Sequence, residues 1–462
     1  MLMHSRAANA DSRLSFWRCV REFAVPPSMI ERATARRLVG DWAGACAAAR
    51  VDPDINLRAV AGRHGRELAA RVRADLRQLA PDLLRWHLPR TAPDGLLRPS
   101  LIVPLARYGQ ERPGGGAVHL VARTPPAWAD AGQRISLGLW DGTRDGSGAH
   151  PHPDRRFRLD LHRHLWDARR AGELRTRSGA DLLPWDTPPS VVPGEWGEAS
   201  GHATDRWAAE AALLLRVEGR TGGAVAVRLG GGRRLVLEVA PGGHDGPPSA
   251  RAFRSGDGRL PVLPDAATWV LPDLALLRAG LIEADRLHPL VASAMVPEHQ
   301  VATAQTAPTA PATPDRAELP RVVLCRGAHH RIGLVDGVLT ALDHDAAEIR
   351  REELLAALTG SPLPCLRAID EAHRQPECLP DVRARLDHGD TAGALATVEA
   401  LLGPQALLRD GALRDELETA AQRRITHGLF RAGLIGAEPG PTAAEPRRVG
   451  ARRRRSRHAT HR

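Results

Sequence analysis

Apolar positions along the chain change period twice. Leu68, Val72, Leu76, Leu79 and Leu83 follow one another at steps of four, four, three and four, which lines one side of an α-helix. Upstream, Ser28 after Pro26-Pro27 is an N-cap candidate for a helix ending at Gly40, and Gly40-Asp41 reads as a turn into a second helix running through Ala49. Pro81, Pro89 and Pro93 should stop the helical run. From Leu101 the period becomes two. Leu101-Ile102-Val103, Val118 to Ala122, Ile135/Leu137/Leu139, Phe157/Leu159/Leu161, Leu213 to Val217, Val225 to Leu229 and Leu235 to Val239 are short strand candidates divided by Gly, Pro and Asp. They predict an antiparallel, sandwich- or barrel-like module. Gly230-Gly231-Gly232 joins the last two as a hairpin turn, and no helix follows it to cradle a phosphate.

Helical spacing returns at Leu274, Leu277, Leu281 and Ile282, and Val322-Val323-Leu324 predicts one more strand before amphipathic helices that run to about Leu434. The expected class is α+β. Its parts are a helical segment (1–95), a β-rich module (96–245) and a loop and helical segment packing with 1–95 (246–296). An Ala/Thr/Pro linker (297–320), a mostly helical C-terminal domain (321–437) and a disordered tail (438–462) complete it.

Two strings recur in the same order. Gly40-Asp41-Trp42-Ala43-Gly44-Ala45 returns as Gly389-Asp390-Thr391-Ala392-Gly393-Ala394, and Arg278-Ala279-Gly280-Leu281-Ile282 returns as Arg431-Ala432-Gly433-Leu434-Ile435. A duplicated helical unit interrupted by the strands would explain them, as would coincidence in a chain this rich in Ala, Gly and Arg.

Composition removes several functions. All 64 Lys or Arg residues are Arg, so a P-loop NTPase, a protein kinase and a pyridoxal phosphate enzyme are excluded for want of their lysine. A Gly-x-Ser-x-Gly elbow and a His-Glu-x-x-His helix are absent as well. Of the net charge of +10, eight charges sit on Arg447, Arg448, Arg452, Arg453, Arg454, Arg455, Arg457 and Arg462. An acid-free Arg-rich tail of this kind predicts weak, sequence-independent nucleic-acid binding. Five widely spread cysteines, no signal-peptide run and no apolar stretch of about 20 residues predict a cytosolic protein without a membrane span.

Two groups of side chains could carry metal chemistry. Asp160, His162 and His164 alternate with Leu159 and Leu161, so on a strand they would share one face. Cys325, His329, His330, Cys365, His373 and Cys378 fall in the C-terminal domain, and thiolate with imidazole suits zinc. Neither group has the spacing of a known motif, and no Cys-x-x-Cys is present, so no cofactor is predicted and zinc is the metal either group would take.

Phe23 to Asp52, opening Val25-Pro26-Pro27-Ser28-Met29-Ile30, and Asp75 to Arg90, ending Leu83-Leu84-Arg85-Trp86-His87-Leu88-Pro89-Arg90, resemble an uncharacterised protein family of high-GC Gram-positive bacteria. That resemblance implies a source and no activity, cofactor or site. The expected function is a non-catalytic cytosolic interaction or scaffold protein with a protein partner. The alternatives are a metal-dependent hydrolase built on a His/Cys cluster and nucleic-acid binding through the tail.

Overall fold

The computed structural model describes residues 12–109, 117–142, 152–182, 201–241, 249–297, 321–360 and 362–435. The expected linker, but for its first residue, and the expected tail therefore lie outside the described residues. The chain is mixed α+β, with helices toward both ends and antiparallel sheets between them. It divides into two compact units, one drawn from residues 1–128 and 133–307 and the other from 308–435 with Ala129–Gly132.

In the first unit, helices α1 (Pro27–Leu38), α2 (Trp42–Ala48), α3 (Leu57–His64), α4 (Arg66–Gln78) and α5 (Pro81–His87) come before the three antiparallel strands of the main sheet. Pro27 and Pro81 each stand at a helix start, where a fixed φ and a missing N–H cost nothing. Ser28 therefore lies inside α1 rather than capping it, and Pro81 begins α5 rather than ending a run. The predicted stripe is the buried side of α4 and α5, with Leu76 and Val72 fully buried and Leu68, Leu79 and Leu83 nearly so.

Strand β1 (Val51–Pro53) runs parallel to β6 (Ile135–Trp140), which continues antiparallel through β5 (Val118–Arg123) to β4 (Ile102–Tyr108). Between β1 and β4 the chain makes a small ribbon of β2 (Arg90–Thr91) and β3 (Leu96–Leu97). A separate sheet holds β7 (Gly223–Gly230), β8 (Arg233–Val239) and β9 (Ser249–Ala252). The predicted single sandwich or barrel is thus two sheets with two cores. One core joins Trp17, Trp86 and Trp166 to β4–β6 and to helices α7 (Pro272–Arg278) and α8 (Pro289–Met295). The other packs β7 and β8 on α6 (Trp207–Val217).

Two predicted strands are not strands. Leu213 to Val217 is the end of α6, because Trp207, Ala211, Leu214 and Leu215 form a buried i, i+4, i+7, i+8 stripe that outweighs the local Leu run. Phe157 to Leu161 is a series of turns, with Phe157 and Leu159 buried. The helix expected across 271–295 is the two short helices α7 and α8, with Leu281 and Ile282 between them. The triple-glycine hairpin is present, and φ is +79°, +55° and +81° at Gly230, Gly231 and Gly232, values that glycine alone adopts without strain.

The second unit opens with a three-stranded antiparallel meander, β10 (Arg321–Cys325), β11 (Ala328–Val335) and β12 (Val338–Ala341). Only the first of these was expected. Helices α9 (Ala346–Thr359), α10 (Pro364–Arg374), α11 (Leu379–Asp387), α12 (Thr391–Leu402) and α13 (Ala412–Arg431) follow. The repeated strings turn out to encode repeated helix ends. Asp41 and Asp390 cap α2 and α12, accepting from Gly44 N at 2.8 Å and Gly393 N at 3.2 Å. Each also holds the arginine five residues upstream, Arg36 at 3.2 Å and Arg385 at 3.1 Å. Gly280 and Gly433 close α7 and α13 with the same pair of reversed hydrogen bonds, Leu281 N to Leu276 O and Gly280 N to Leu277 O in one, Leu434 N to Leu429 O and Gly433 N to Phe430 O in the other.

Candidate metal centre

Turn chemistry assembles a buried Cys/His cluster in the second unit. Arg326 and Gly327 both take positive φ, +52° and +82°, which is the two-residue turn that matches strand twist and sets Cys325 opposite Ala328. Asp336 and Gly337, at +50° and +74°, do the same between β11 and β12. Side chains alternate across a sheet, so Val323, Cys325, His330, Ile332 and Ala341 share the face turned to the core, where Cys325, Ile332 and Ala341 are buried. Beyond β12, Asp343 accepts from Arg331 N at 2.7 Å and pairs with its guanidinium at 2.7 Å, which fixes the chain as it turns toward His344. Cys365 arrives from the other side in the first turn of α10, behind Pro364 at the first helical position.

The result is two sulfurs and an imidazole nitrogen from Cys325, Cys365 and His344, all within 4.8 Å of one another. Both cysteines are fully buried, and the His344 side chain is 4% exposed. His344 Nδ1 lies 3.3 Å from the Glu348 carboxylate, which Arg326 holds from its other oxygen at 2.7 Å. That contact assigns the proton to Nδ1 and leaves the Nε2 lone pair directed elsewhere. Nε2 is buried without a hydrogen-bond partner. Burial and the neighbouring Cys325 thiol push the Cys365 thiol up to about 11. Among the described residues this is the group of three or more His, Cys, Asp and Glu side chains spaced for one ion.

Of the residues named from sequence, Cys325 and Cys365 are brought together and the rest are not. His329 points to the opposite, exposed face of β11. His330 is adjacent, with its ring stacked on His344 at 4.3 Å and 10°. Cys378 precedes α11 in a different apolar cluster. His373 lies eight residues beyond Cys365 on α10, about 12 Å along the axis. His344 was not anticipated, since it sits in a loop with no short-range partner in the sequence.

The Asp160, His162 and His164 group has another role. Asp160 pairs with Arg158 through two 2.8 Å contacts. His162 spans from Arg158 O at 3.0 Å to Glu210 at 3.2 Å, and Arg177 meets the same carboxylate at 2.7 Å. Burial, with the neighbouring His162 charge, holds His164 well below the usual imidazole range. Their strand-face arrangement does not exist because the segment is not a strand. The seven tail arginines Arg447, Arg448, Arg452, Arg453, Arg454, Arg455 and Arg457, with Arg462, lie outside the described residues.

A further buried polar group in the first unit had no signal in the sequence. Trp86 Nε1 donates to Asp273 at 2.7 Å, and His288 Nε2 lies 3.0 Å from Asp82 while its Nδ1 accepts from Leu290 N at 3.1 Å. Burial raises the Asp273 carboxyl against the pull of Arg21 and Trp86. These contacts tie α5 to α7 and to the start of α8.

The fold and the cluster together define a mixed α+β chain whose second unit carries a buried Cys2His group. Compared with known proteins, the chain matches no family model, no curated protein and no solved structure.

Proposed function

We propose that this chain is a non-catalytic interaction or scaffold protein of the reducing cytosol, and that its second unit docks a protein partner on the outer face of the β10–β12 sheet. The observation that carries this reading is the composition of that face. An antiparallel sheet ordinarily turns polar side chains to water. Here Val322, Leu324, Val335 and Val338 lie on the outer side of the strands at 55%, 60%, 44% and 39% exposure. Leu342 packs over Gly333 on the same side. Exposed apolar surface of this kind marks protein contacts, and Arg331 and His329, on the central strand opposite Val322 and Leu324, add polar groups to the same face.

Both sulfurs of the Cys/His cluster are fully buried, so nothing observed presents that group to the substrate of a metal-dependent hydrolase. No helix among the described residues is long and apolar enough to cross a membrane. Residues 447–462 are proposed as an accessory, sequence-independent contact to nucleic acid, on the strength of their eight arginines and no acid.

A photo-crosslinking residue placed at Leu324 in cells of the source organism tests the docking surface. The expected result is a discrete adduct, with the same partner identified in repeat experiments and lost on adding Val335→Lys. Adducts no more frequent than from exposed Arg350 would overturn the reading.

A further inference from the structure

We propose that Cys325, His344 and Cys365 bind a zinc ion that clips the β10–β11 hairpin to the start of α10. Two thiolates and an imidazole are the donor set zinc prefers. With Zn–S near ~2.3 Å and Zn–N near ~2.0 Å, ligand atoms on a tetrahedron stand roughly 3.5–4 Å apart. The three ligand atoms already lie within 4.8 Å of one another, so closing on an ion needs only small side-chain adjustments.

The strongest single feature is His344. Its ring is almost wholly enclosed, yet Nε2 finds no hydrogen-bond partner. A buried polar atom without a partner is costly, and an ion bound there would satisfy it. The other nitrogen rests on Glu348, the carboxylate–imidazole support that orients metal-binding histidines. Charge also balances, because two thiolates neutralise a divalent ion and binding releases the two thiol protons.

The local packing gives the ion a purpose. Besides the two cysteines, the apolar cluster around them has just Ile332, Ala341 and Ile369 as fully enclosed members. A metal would tie this small cluster together where it meets the larger apolar cluster of the same unit at Leu339. His330 does not complete the set as placed, because an ion in the plane of the His344 ring lies well outside the parallel plane of its neighbour.

The test uses the full chain, untagged, purified under reductant and without chelator, with zinc measured by elemental analysis. About one zinc per chain is expected, and substitution by cobalt(II) should give thiolate-to-metal charge transfer with the strong visible bands of a tetrahedral ion. Cys365→Ser and His344→Ala should lose the bound ion, and Cys378→Ser should keep it. Glu348→Gln should weaken zinc about 10- to 100-fold in competition with a chromophoric chelator, with an unchanged circular dichroism spectrum. Less than ~0.2 zinc per chain after incubation with zinc and reductant overturns the site. So does loss of the ion in Cys378→Ser, an unaltered affinity in Glu348→Gln, or a Cys325–Cys365 disulfide in place of metal.

Discussion

Replacing Glu210 by glutamine should expose how the first unit uses its histidines. Glu210 projects from α6 with 5% of its surface exposed and receives Arg177 at 2.7 Å and His162 at 3.2 Å. Burial alone would raise this carboxyl, but its contacts with His162 and Arg177 outweigh that and hold it at about 2 against an ordinary 4.5. A carboxyl depressed on folding stabilises the protein above its unfolded pKa, and that stabilisation drains away as the pH falls toward the folded value. The difference corresponds to roughly 3 kcal/mol at neutral pH, and about half of it remains at pH 3. Glu210→Gln should therefore cost ~3 kcal/mol at pH 7, with the gap to wild type narrowing between pH 4.5 and 3. Native-state amide exchange of the peptide covering residues 207–217, read by mass spectrometry across that range, measures it locally. A penalty below ~1 kcal/mol, or one that is constant from pH 7 to pH 3, would refute the assignment of this ion pair as a stabilising contact.

Asp41→Ala and Asp390→Ala should each cost ~1 kcal/mol, because each removes a helix cap of the same geometry; urea denaturation compared with a change at exposed Glu31, Glu31→Ala, checks this. Tyr108→Phe removes a 2.8 Å hydrogen bond to Asp75 inside the network of Arg163, Arg169 and Asp167, and should lower stability by ~1–2 kcal/mol in thermal melts. A chain ending at Glu438 should lose most of its affinity for double-stranded DNA at low salt while keeping the full chain's melting temperature; equal binding by the two in filter assays would remove the tail as the binding element.

What was legible in the sequence depended on how local its cause is. The α4–α5 stripe and the triple-glycine hairpin could be read because a few neighbouring residues fix each of them. The Leu213 to Val217 error came from a window too short to include Trp207 and Ala211, whose helical phase places Leu214 and Leu215 in the core. The β10–β12 meander had its signal in Arg326-Gly327 and Asp336-Gly337, turn pairs that were passed over beside the helical pattern downstream. The division of the strands into two sheets has no local signature, since it follows from which core each strand joins.

The same distinction separates the two histidine groups. Cys325, His344 and Cys365 are 19 and 21 residues apart, so no short motif could have joined them, and the inclusion of Cys325 and Cys365 among the candidates rested on residue type alone. His162 and His164 are close in sequence and stood beside the cysteines as a second candidate group. The second nitrogen of each ring decides between them. His162 has Arg158 O on one side and the Glu210 carboxylate on the other, so its imidazole is a link in an ion-pair network. His344 has the Glu348 carboxylate at Nδ1, a buried Nε2 without a hydrogen-bond partner, and two thiol sulfurs within 4.8 Å of one of its ring nitrogens, the surroundings on which the proposed zinc site rests. Burial is nearly equal in the two cases and discriminates nothing; the neighbours do, a carboxylate 3.2 Å from His162 Nε2 and two buried thiols beside the His344 ring.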